Sequence, residues 1–304
     1  MQVLRDLSSL RMLRGPVYLA IGVFDGVHRG HQALIEEAQS DAAKSGGTAV
    51  VMTFEPHPMM FFRRDHPPLR LSSAEHKERL LRKIGVTHLA VLPFDSVRAG
   101  QTAEEFVADL QAACHPLGGV VVGAEWRFGK GRAGDVALLK RMGNFEVDGI
   151  PAVTTDGQVI SSTVIRRAVA RGDLNFALGA LGRRYSVFGR VMKGKQLGQQ
   201  IGFPTANVAT DGLQLPPDGV YAVRVRCGEN DFAGVANLGL RPTVEHDGRR
   251  TLEVHLLEFD GDLYGMELEV EFVRLIRGEK KFANVEELQA QIARDVASVQ
   301  DQDA

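Results

Sequence analysis

The sequence predicts an α/β part, a parallel sheet with helices on both faces, followed by an antiparallel barrel or sandwich closed by a C-terminal helix. Three observations predict it. Through the first 180 residues short apolar runs alternate with helical patterns, as a parallel sheet with crossover helices requires. Near Gly182 the alternation stops, and strand patterns then follow one another without helices between them. One amphipathic run, roughly Asn284 to Gln300, ends the chain. The expected parts are therefore residues 1–182 and 183–304.

VYLAIGVF (17–24) is a continuous apolar run of strand length and reads as a buried strand. HQALIEEAQSDAAKSG (31–46) sets Leu34, Ile35 and Ala38 on one helical face, and Gly46 and Gly47 end it. TAVVMTF (48–54) is a second strand. SSAEHKERLLRKIG (72–85) is a helix that Ser72 or Ser73 caps. HLAVLPF (88–94) and GGVVVG (118–123) are further buried strands. Between them lies a helix, 102–113, whose Thr102 and Glu105 match a capping box. In the second half SVFGRVMK, GVYAVRVRC, FAGVANLGL, TLEVHLLEF and MELEVEFVRLIR read as strands, several of them alternating. CGEND and FDGDLYG carry hairpin turn chemistry. In the closing helix Leu288, Ile292, Val296 and Val299 share a face.

Composition narrows the class. The 304 residues are 44% hydrophobic and 24% charged, with a formal net charge of −2, so no strong field draws the chain to nucleic acid or an anionic membrane. MQVLRDLSSLRMLRG has no continuous apolar core, so no signal peptide is read there. No apolar run reaches the length of a membrane span. Two distant cysteines, Cys114 and Cys227, argue against a disulfide framework and fit a reducing cytoplasm.

GVFDGVHRGH (22–31) joins the first strand to the first helix, where open α/β sheets bind ligands. Gly22, Gly26 and Gly30 let a phosphate approach the backbone, and the helix start offers free N–H groups. His28 and His31 lie three apart and share a face, an arrangement suited to a phosphate that gains charge in a transition state. In ISSTVIR (160–166) Ser161, Ser162 and Thr163 offer hydroxyls, Arg166 offers a fork for phosphate oxygens, and Ser162 or Thr163 caps the helix that follows. In TFEPHP (53–58) Phe54 and His57 are placed to stack on a flat ring, with Pro56 and Pro58 stiffening the turn.

The second half carries no G-x-x-x-x-G-K-[ST] segment, yet GRVMKGKQLGQQIGFPTANV (189–208) is rich in glycine. Gly194, Gly198 and Gly202 suit a loop closing over phosphates, and Pro204 stiffens its exit. Thr205 and Asn207, two apart in an extended segment, present a hydroxyl and an amide carbonyl to one side, donors that suit Mg²⁺ with ATP phosphates. Glu253 stands in a strongly apolar strand pattern, where a carboxylate is costly without a task; Glu258 lies closer to the turn.

GVFDGVHRGH resembles the H-x-G-H signature of the nucleotidylyltransferase superfamily. With TFEPHP, RFGKGRAGD (127–135), ISSTVIR, GFPTAN, NLGLRPT (237–243) and RGEKKF (277–282), the chain resembles the bacterial bifunctional riboflavin kinase/FMN adenylyltransferases over nearly its whole length. The resemblance implies a Rossmann-like nucleotidylyltransferase domain followed by a flavokinase β-barrel. It implies ATP, riboflavin and FMN as substrates, Mg²⁺ as cofactor, and no nucleic-acid or membrane partner. It extends nucleotide and flavin binding to Phe24, Asp25, Gly123, Glu125, Phe128 and Arg277, and makes His28, His31 and Glu253 catalytic. Glu125 and Trp126 depart from the Asp or Asn then Phe usual in the family, and Gln199 stands where Arg is common. Another H-x-G-H transferase, an aminoacyl-tRNA synthetase and a flavin sensor are the rival classes; the chain lacks K-M-S-K-S, and the intact histidines with Glu253 count against a sensor.

Overall fold

The computed structural model describes residues 1–194, 198, 201–240 and 250–300. Gln199 and the Arg-Pro-Thr end of NLGLRPT lie outside the described residues. The chain divides into two compact units, one of Met1–Leu69 with Ala74–Val164, the other of Arg70–Ser73 with Ile165–Ala304.

The first unit is a six-stranded sheet of β1 (Gln2–Leu4), β2 (Val17–Ile21), β3 (Thr48–Glu55), β4 (His88–Pro93), β5 (Leu117–Gly123) and β6 (Glu146–Ile150), in the order β1-β4-β3-β2-β5-β6. Every pairing is parallel. Its helices are α1 (Arg29–Ser45), α2 (Pro58–Phe62), α3 (Ala74–Lys83), α4 (Ser96–Gly100), α5 (Ala103–Ala113) and α6 (Val136–Met142). The two-residue period of a strand explains the two cores. Leu19 and Ile21 of β2 join Phe106, Val107 and Leu110 of α5 on one face. Tyr18 and Ala20 join Leu34, Ile35 and Ala38 of α1 and Leu80 and Leu81 of α3 on the other. The capping box is present: the Glu105 N–H donates to Thr102 Oγ1 at 3.1 Å, and the Thr102 N–H donates to Glu105 Oε2 at 2.8 Å.

Two strands of this sheet escaped the sequence reading. β1 is three residues long and β6 (EVDGI) is half-exposed with a glycine inside; both are sheet edges, where no continuous apolar run is needed. A small hairpin, β7 (Thr154–Thr155) with β8 (Gln158–Val159), follows.

In the second unit α7 (Ser162–Ala170), which begins at the end of the first, and α8 (Leu174–Leu181) precede a closed barrel. Its strands are β9 (Ser186–Met192), β10 (Ala206–Val208), β11 (Gly219–Cys227), β12 (Asn230–Leu240), β13 (Arg250–Leu256) and β14 (Glu267–Arg277), in the order β10-β13-β12-β11-β14-β9. All pairings are antiparallel, and closure decides for a barrel over a sandwich. CGEND is the expected tight hairpin, joining β11 to β12 with Gly228 at φ 60°. FDGDLYG is not a hairpin. β13 pairs with β10 and β12, whereas β14 pairs with β11 and β9, so this loop crosses between strands that are not neighbours. Its turn residues signal a reversal of the chain but not which strand comes next.

The closing helix α9 (Val285–Gln300) seats Val296 and Val299 against Val220, Ala222, Val235 and Leu257. On that face it also buries Asp295, 3% exposed. Arg277 at the end of β14 meets it with Nε 3.0 Å and Nη2 2.9 Å from Oδ2, and Gln291 Nε2 donates to Oδ1 at 2.9 Å. Removing one partner of a buried pair leaves the other charge without compensation. Arg277→Met is expected to destabilise the protein by about 3 kcal/mol, read as a lower midpoint in urea unfolding; an unchanged midpoint would show that Asp295 does not depend on this pair.

Candidate active sites

In the first unit β2 has β3 on one side and β5 on the other, so the connections leave it in opposite directions. The crevice at the carboxyl ends of these strands is the switch point where open α/β sheets take ligands. The loop from β2 to α1 is held there under strain. Phe24 (φ 56°) and Val27 (φ 43°) adopt left-handed backbone around Gly26 (φ 78°), a conformation that side chains with a β-carbon resist. Both side chains are fully buried, so the core holds the turn in place.

The turn delivers His28, 6% exposed, to the N-cap of α1, and the helix starts at Arg29, two residues earlier than expected. His28 Nδ1 accepts the His31 N–H at 3.3 Å. An accepting Nδ1 carries no proton, so the proton of the neutral ring sits on Nε2. The His31 ring stacks on that of His28, centroids 3.6 Å apart and planes 15° apart. A β-carbon on Gly30 would lie 3.2 Å from His28 Nδ1 and Cε1, so the glycine of H-x-G-H admits the imidazole. Burial, with His28 and Lys77 beside it, holds the His31 imidazole well below the usual histidine range.

The neighbours of this loop fall at the same edge of the sheet. The Ser162 hydroxyl donates to the Asp25 carbonyl at 3.0 Å, tying the start of α7 to the histidine loop; Asp25 is itself buried. Neither Ser162 nor Thr163 is the cap that the sequence led one to expect: Ser161 Oγ accepts the Val164 N–H at 3.3 Å, and Ser162 is spent on Asp25. Arg166 lies one turn further along α7. Gly22 packs beneath the Phe24 ring. At the end of β5, Gly123 has open space above its Cα and Glu125 is exposed. Trp126 stacks on the buried Phe128, centroids 4.5 Å apart, so the family departure at Trp126 is absorbed into packing.

TFEPHP is placed differently from the expectation. Phe54 is 9% exposed and packs in the core near Phe94 and Phe106, so it offers no free face. His57 Nδ1 accepts the Met59 N–H at 3.0 Å and caps α2, with Pro58 in its first turn and Pro56 exposed before it. The apolar surface here is instead Phe61, Phe62 and Phe94, mutually edge-on with centroids 5.4–5.8 Å apart, with Phe62 well exposed. The sequence reading also missed Lys77. It lies three and four residues before the buried Leu80 and Leu81, and that spacing puts it on the buried face of α3.

In the barrel unit Thr205 and Asn207 are both half-buried and separated by the buried Ala206, so they share a face. Two glycines, Gly194 and Gly198, lie against them. A β-carbon on Gly194 would come 2.2 Å from Asn207 Nδ2; one on Gly198 would come 2.3 Å from the Phe203 carbonyl oxygen and 3.2 Å from Thr205 Oγ1. Gly202 (φ 82°) and the exposed Pro204 complete the turn, whose Pro204 carbonyl lies 2.8 Å from His255 Nδ1.

Asn207 is directly opposite Glu253, which on its other side is opposite Asn237 of β12. Direct cross-strand partners share a face, so one row reads Asn207, Glu253, Asn237. Glu253 is half-exposed and alternates with the buried Leu252 and Val254. The expectation of a carboxylate embedded in an apolar strand is therefore corrected: Glu253 stands on the polar side of β13, and its claim to a role is the row it belongs to. Arg277 is also corrected: its fork is engaged by Asp295 rather than open to a flavin or phosphate. Beside Thr205 opens a cavity of about 380 Å³, walled by Val254, Leu256, Phe259, Leu263 and Tyr264. Its far wall is the FDGDLYG loop.

One unit carries a paired-histidine helix start at a sheet switch point, the other a hydroxyl and an amide beside glycines on a barrel, both arrangements that suit phosphate chemistry; with the matches that follow, the protein is an enzyme of two transferase units. The FAD synthetase family model matches residues 11–164, and the riboflavin kinase model matches residues 181–302. Over 281 residues the chain is 43% identical to the bifunctional riboflavin kinase/FMN adenylyltransferase of Escherichia coli K12, covering 91% of this chain and 90% of that one. Identity to the protein of the same name from Pseudomonas fluorescens is 39%, over 98% and 96% of the two chains. A crystal structure named as a macrolide-efflux protein from Streptococcus pneumoniae superposes with a TM-score of 0.85 at 32% identity, over 98% of both chains. Among the described residues of this chain no helix is long and apolar enough to cross a membrane. The chain belongs to the bifunctional riboflavin kinase/FMN adenylyltransferase family.

Proposed function

We propose that the barrel phosphorylates riboflavin from ATP and that the sheet unit then adenylylates the FMN so formed from a second ATP. In the first step the ribityl 5′-oxygen bonds to the γ-phosphorus, the bond to the β,γ-bridging oxygen breaks, and ADP leaves. Glu253 takes the hydroxyl proton. In the second an FMN phosphate oxygen bonds to the α-phosphorus, the α,β-bridging bond breaks, and pyrophosphate leaves, with His28 and His31 at the α-phosphate. The His28–His31 pair at the start of α1, with His28 Nδ1 accepting the His31 N–H, carries the second assignment; the Asn207–Glu253 row, with Gly194 packed on Asn207, supports the first.

Binding follows from the same surroundings. The start of α7, with Ser161, Ser162, Thr163 and Arg166, holds the triphosphate of the adenylyl donor with Gly22, Gly26 and Gly30. Phe61, Phe62 and Phe94 give the flavin ring an apolar surface beside His57, with Gly123 and Glu125 at its border. In the barrel the cavity beside Thr205 takes the adenosine of the kinase's ATP. The Thr205 hydroxyl and Asn207 carbonyl oxygen fit Mg²⁺ as neutral oxygen donors on one face of an extended segment, the kind of ligand such an ion takes beside phosphates and waters. The ion supplies charge neutralisation to the transferring phosphoryl group. The enzyme works in the cytoplasm, in keeping with two free, buried cysteines.

The functional boundary is placed at Gly182/Arg183. α7, α8 and Arg70–Ser73 support the barrel from outside its chemistry. Incubation with riboflavin, ATP and Mg²⁺, with the flavins resolved by chromatography, is expected to give FMN first and FAD after it. The fragment from Arg183 to Ala304 is expected to give FMN only. No new flavin from the whole chain contradicts the reading; a folded but inert fragment moves the boundary back toward Val164/Ile165.

A further inference from the structure

Lys77 stands under the histidine loop and belongs to none of the roles assigned above. It is 6% exposed. Its Nζ donates to the Val23 carbonyl at 3.3 Å, to Thr53 Oγ1 at 3.3 Å and to Glu55 Oε2 at 3.4 Å. The Thr53 hydroxyl itself donates to the Val23 carbonyl at 3.0 Å. One ammonium thus gathers the loop that follows β2 and two residues near the end of β3, at the carboxyl edge where the site lies. A buried ammonium is expensive unless its donors are used, and here three different groups use them.

We propose that Lys77 is a positioning residue of the adenylyl-transfer site, tying the loop that carries His28 and His31 to the end of β3. This rests on the adenylyl reading above. Val23 immediately precedes the strained turn Phe24–Val27, so the Lys77 bond to its carbonyl anchors the turn at its entry. The aim of His28 depends on that turn, and a catalytic donor displaced by even 1 Å loses much of its effect.

Lys77 has a second, electrostatic consequence. The titratable groups that act on His31 are His28, at the cap of its own helix, and Lys77 from α3; both disfavour its protonation, as burial does. Glu55, from the end of β3, is the carboxylate paired with Lys77. His31 therefore works as a neutral ring, and the acidic limb of FAD formation reports its protonation. Removing the Lys77 charge eases that protonation and moves the limb to higher pH. Removing the Glu55 charge leaves the ammonium less balanced and moves the limb to lower pH.

The test is the pH profile of FAD formation from FMN and ATP in the full chain, with riboflavin phosphorylation as the internal control. Lys77→Met is expected to lower kcat on the order of 10²-fold with phosphorylation unchanged, and to raise the pH of the acidic limb. Lys77→Arg brings the limb back toward that of the wild type. Glu55→Gln, which keeps a hydrogen-bond acceptor, lowers it. Loss of packing alone does not move the two variants in opposite directions. If Lys77→Met fails to fold, the Glu55→Gln shift decides. A limb that stays in place in the folded variants overturns the proposal. Wild-type protein that forms no FAD from FMN overturns the underlying adenylyl reading instead, so the two failures are distinct.

Discussion

His28→Ala is expected to lower kcat for FAD formation from FMN by about 10²–10³-fold, while riboflavin phosphorylation by the same protein continues at the wild-type rate. The size is that of losing one preorganised donor to a transition state. His28 Nε2 must carry the proton of the neutral ring, because Nδ1 accepts the His31 N–H. Alanine also removes a helix cap, worth about 1 kcal/mol, and the ring on which His31 stacks. His28→Asn separates these effects. Asparagine caps a helix well but has no donor where Nε2 stood. Equal losses in the two variants assign the effect to the donor. Recovery in His28→Asn assigns it to the cap, and full FAD synthesis in folded His28→Ala removes His28 from the chemistry. In a mixture of riboflavin and ATP this variant accumulates FMN.

Glu253→Gln is expected to reduce FMN formation by about 10²–10⁴-fold, the usual contribution of a positioned general base. Glutamine keeps the shape and the cross-strand row with Asn207 and Asn237 but cannot take the hydroxyl proton. Glu253 is half-exposed on the polar side of β13, where a glutamine of the same size still hydrogen-bonds. The riboflavin KM should stay near its wild-type value, because the loss lies in the transition state rather than in binding. FMN supplied from outside still becomes FAD, since the histidine loop is untouched. A normal rate of phosphorylation in the folded variant would pass the role of base to another carboxylate. Glu258 is the next to test, at the edge of the loop that walls the cavity.

Much of this was legible in the sequence because it is local. A capping box needs four consecutive residues, and Thr102 to Glu105 supply them. The buried strands of the parallel sheet announce themselves as continuous apolar runs, β2 being buried at all five positions. H-x-G-H and G-F-P-T-A-N are also short, and the structure brings each set of residues to one place. What escaped depends on partners distant in the chain. Closure of the barrel is a matter of which strands meet, and the turn residues of FDGDLYG do not say that β13 and β14 have other neighbours. Asp295 interrupts an apolar helix face, and its reason is Arg277, eighteen positions away on a strand. Phe54 looked available for stacking because a sequence does not show that Phe94 and Phe106 already cover it. Lys77 was half-legible: its spacing to Leu80 and Leu81 puts it on the buried face, but only the fold reveals that Val23 and Glu55 wait there.

If the two sites are independent and joined only by FMN, the defects of the two variants should complement each other. The direct measurement is to mix folded His28→Ala and Glu253→Gln proteins with riboflavin, ATP and Mg²⁺ and to follow FAD over time. Alone, the first should stop at FMN and the second should leave riboflavin. Together they should produce FAD after a lag while FMN builds up in solution. A mixture that makes no FAD, although each variant retains its own step, would contradict two independent sites in series.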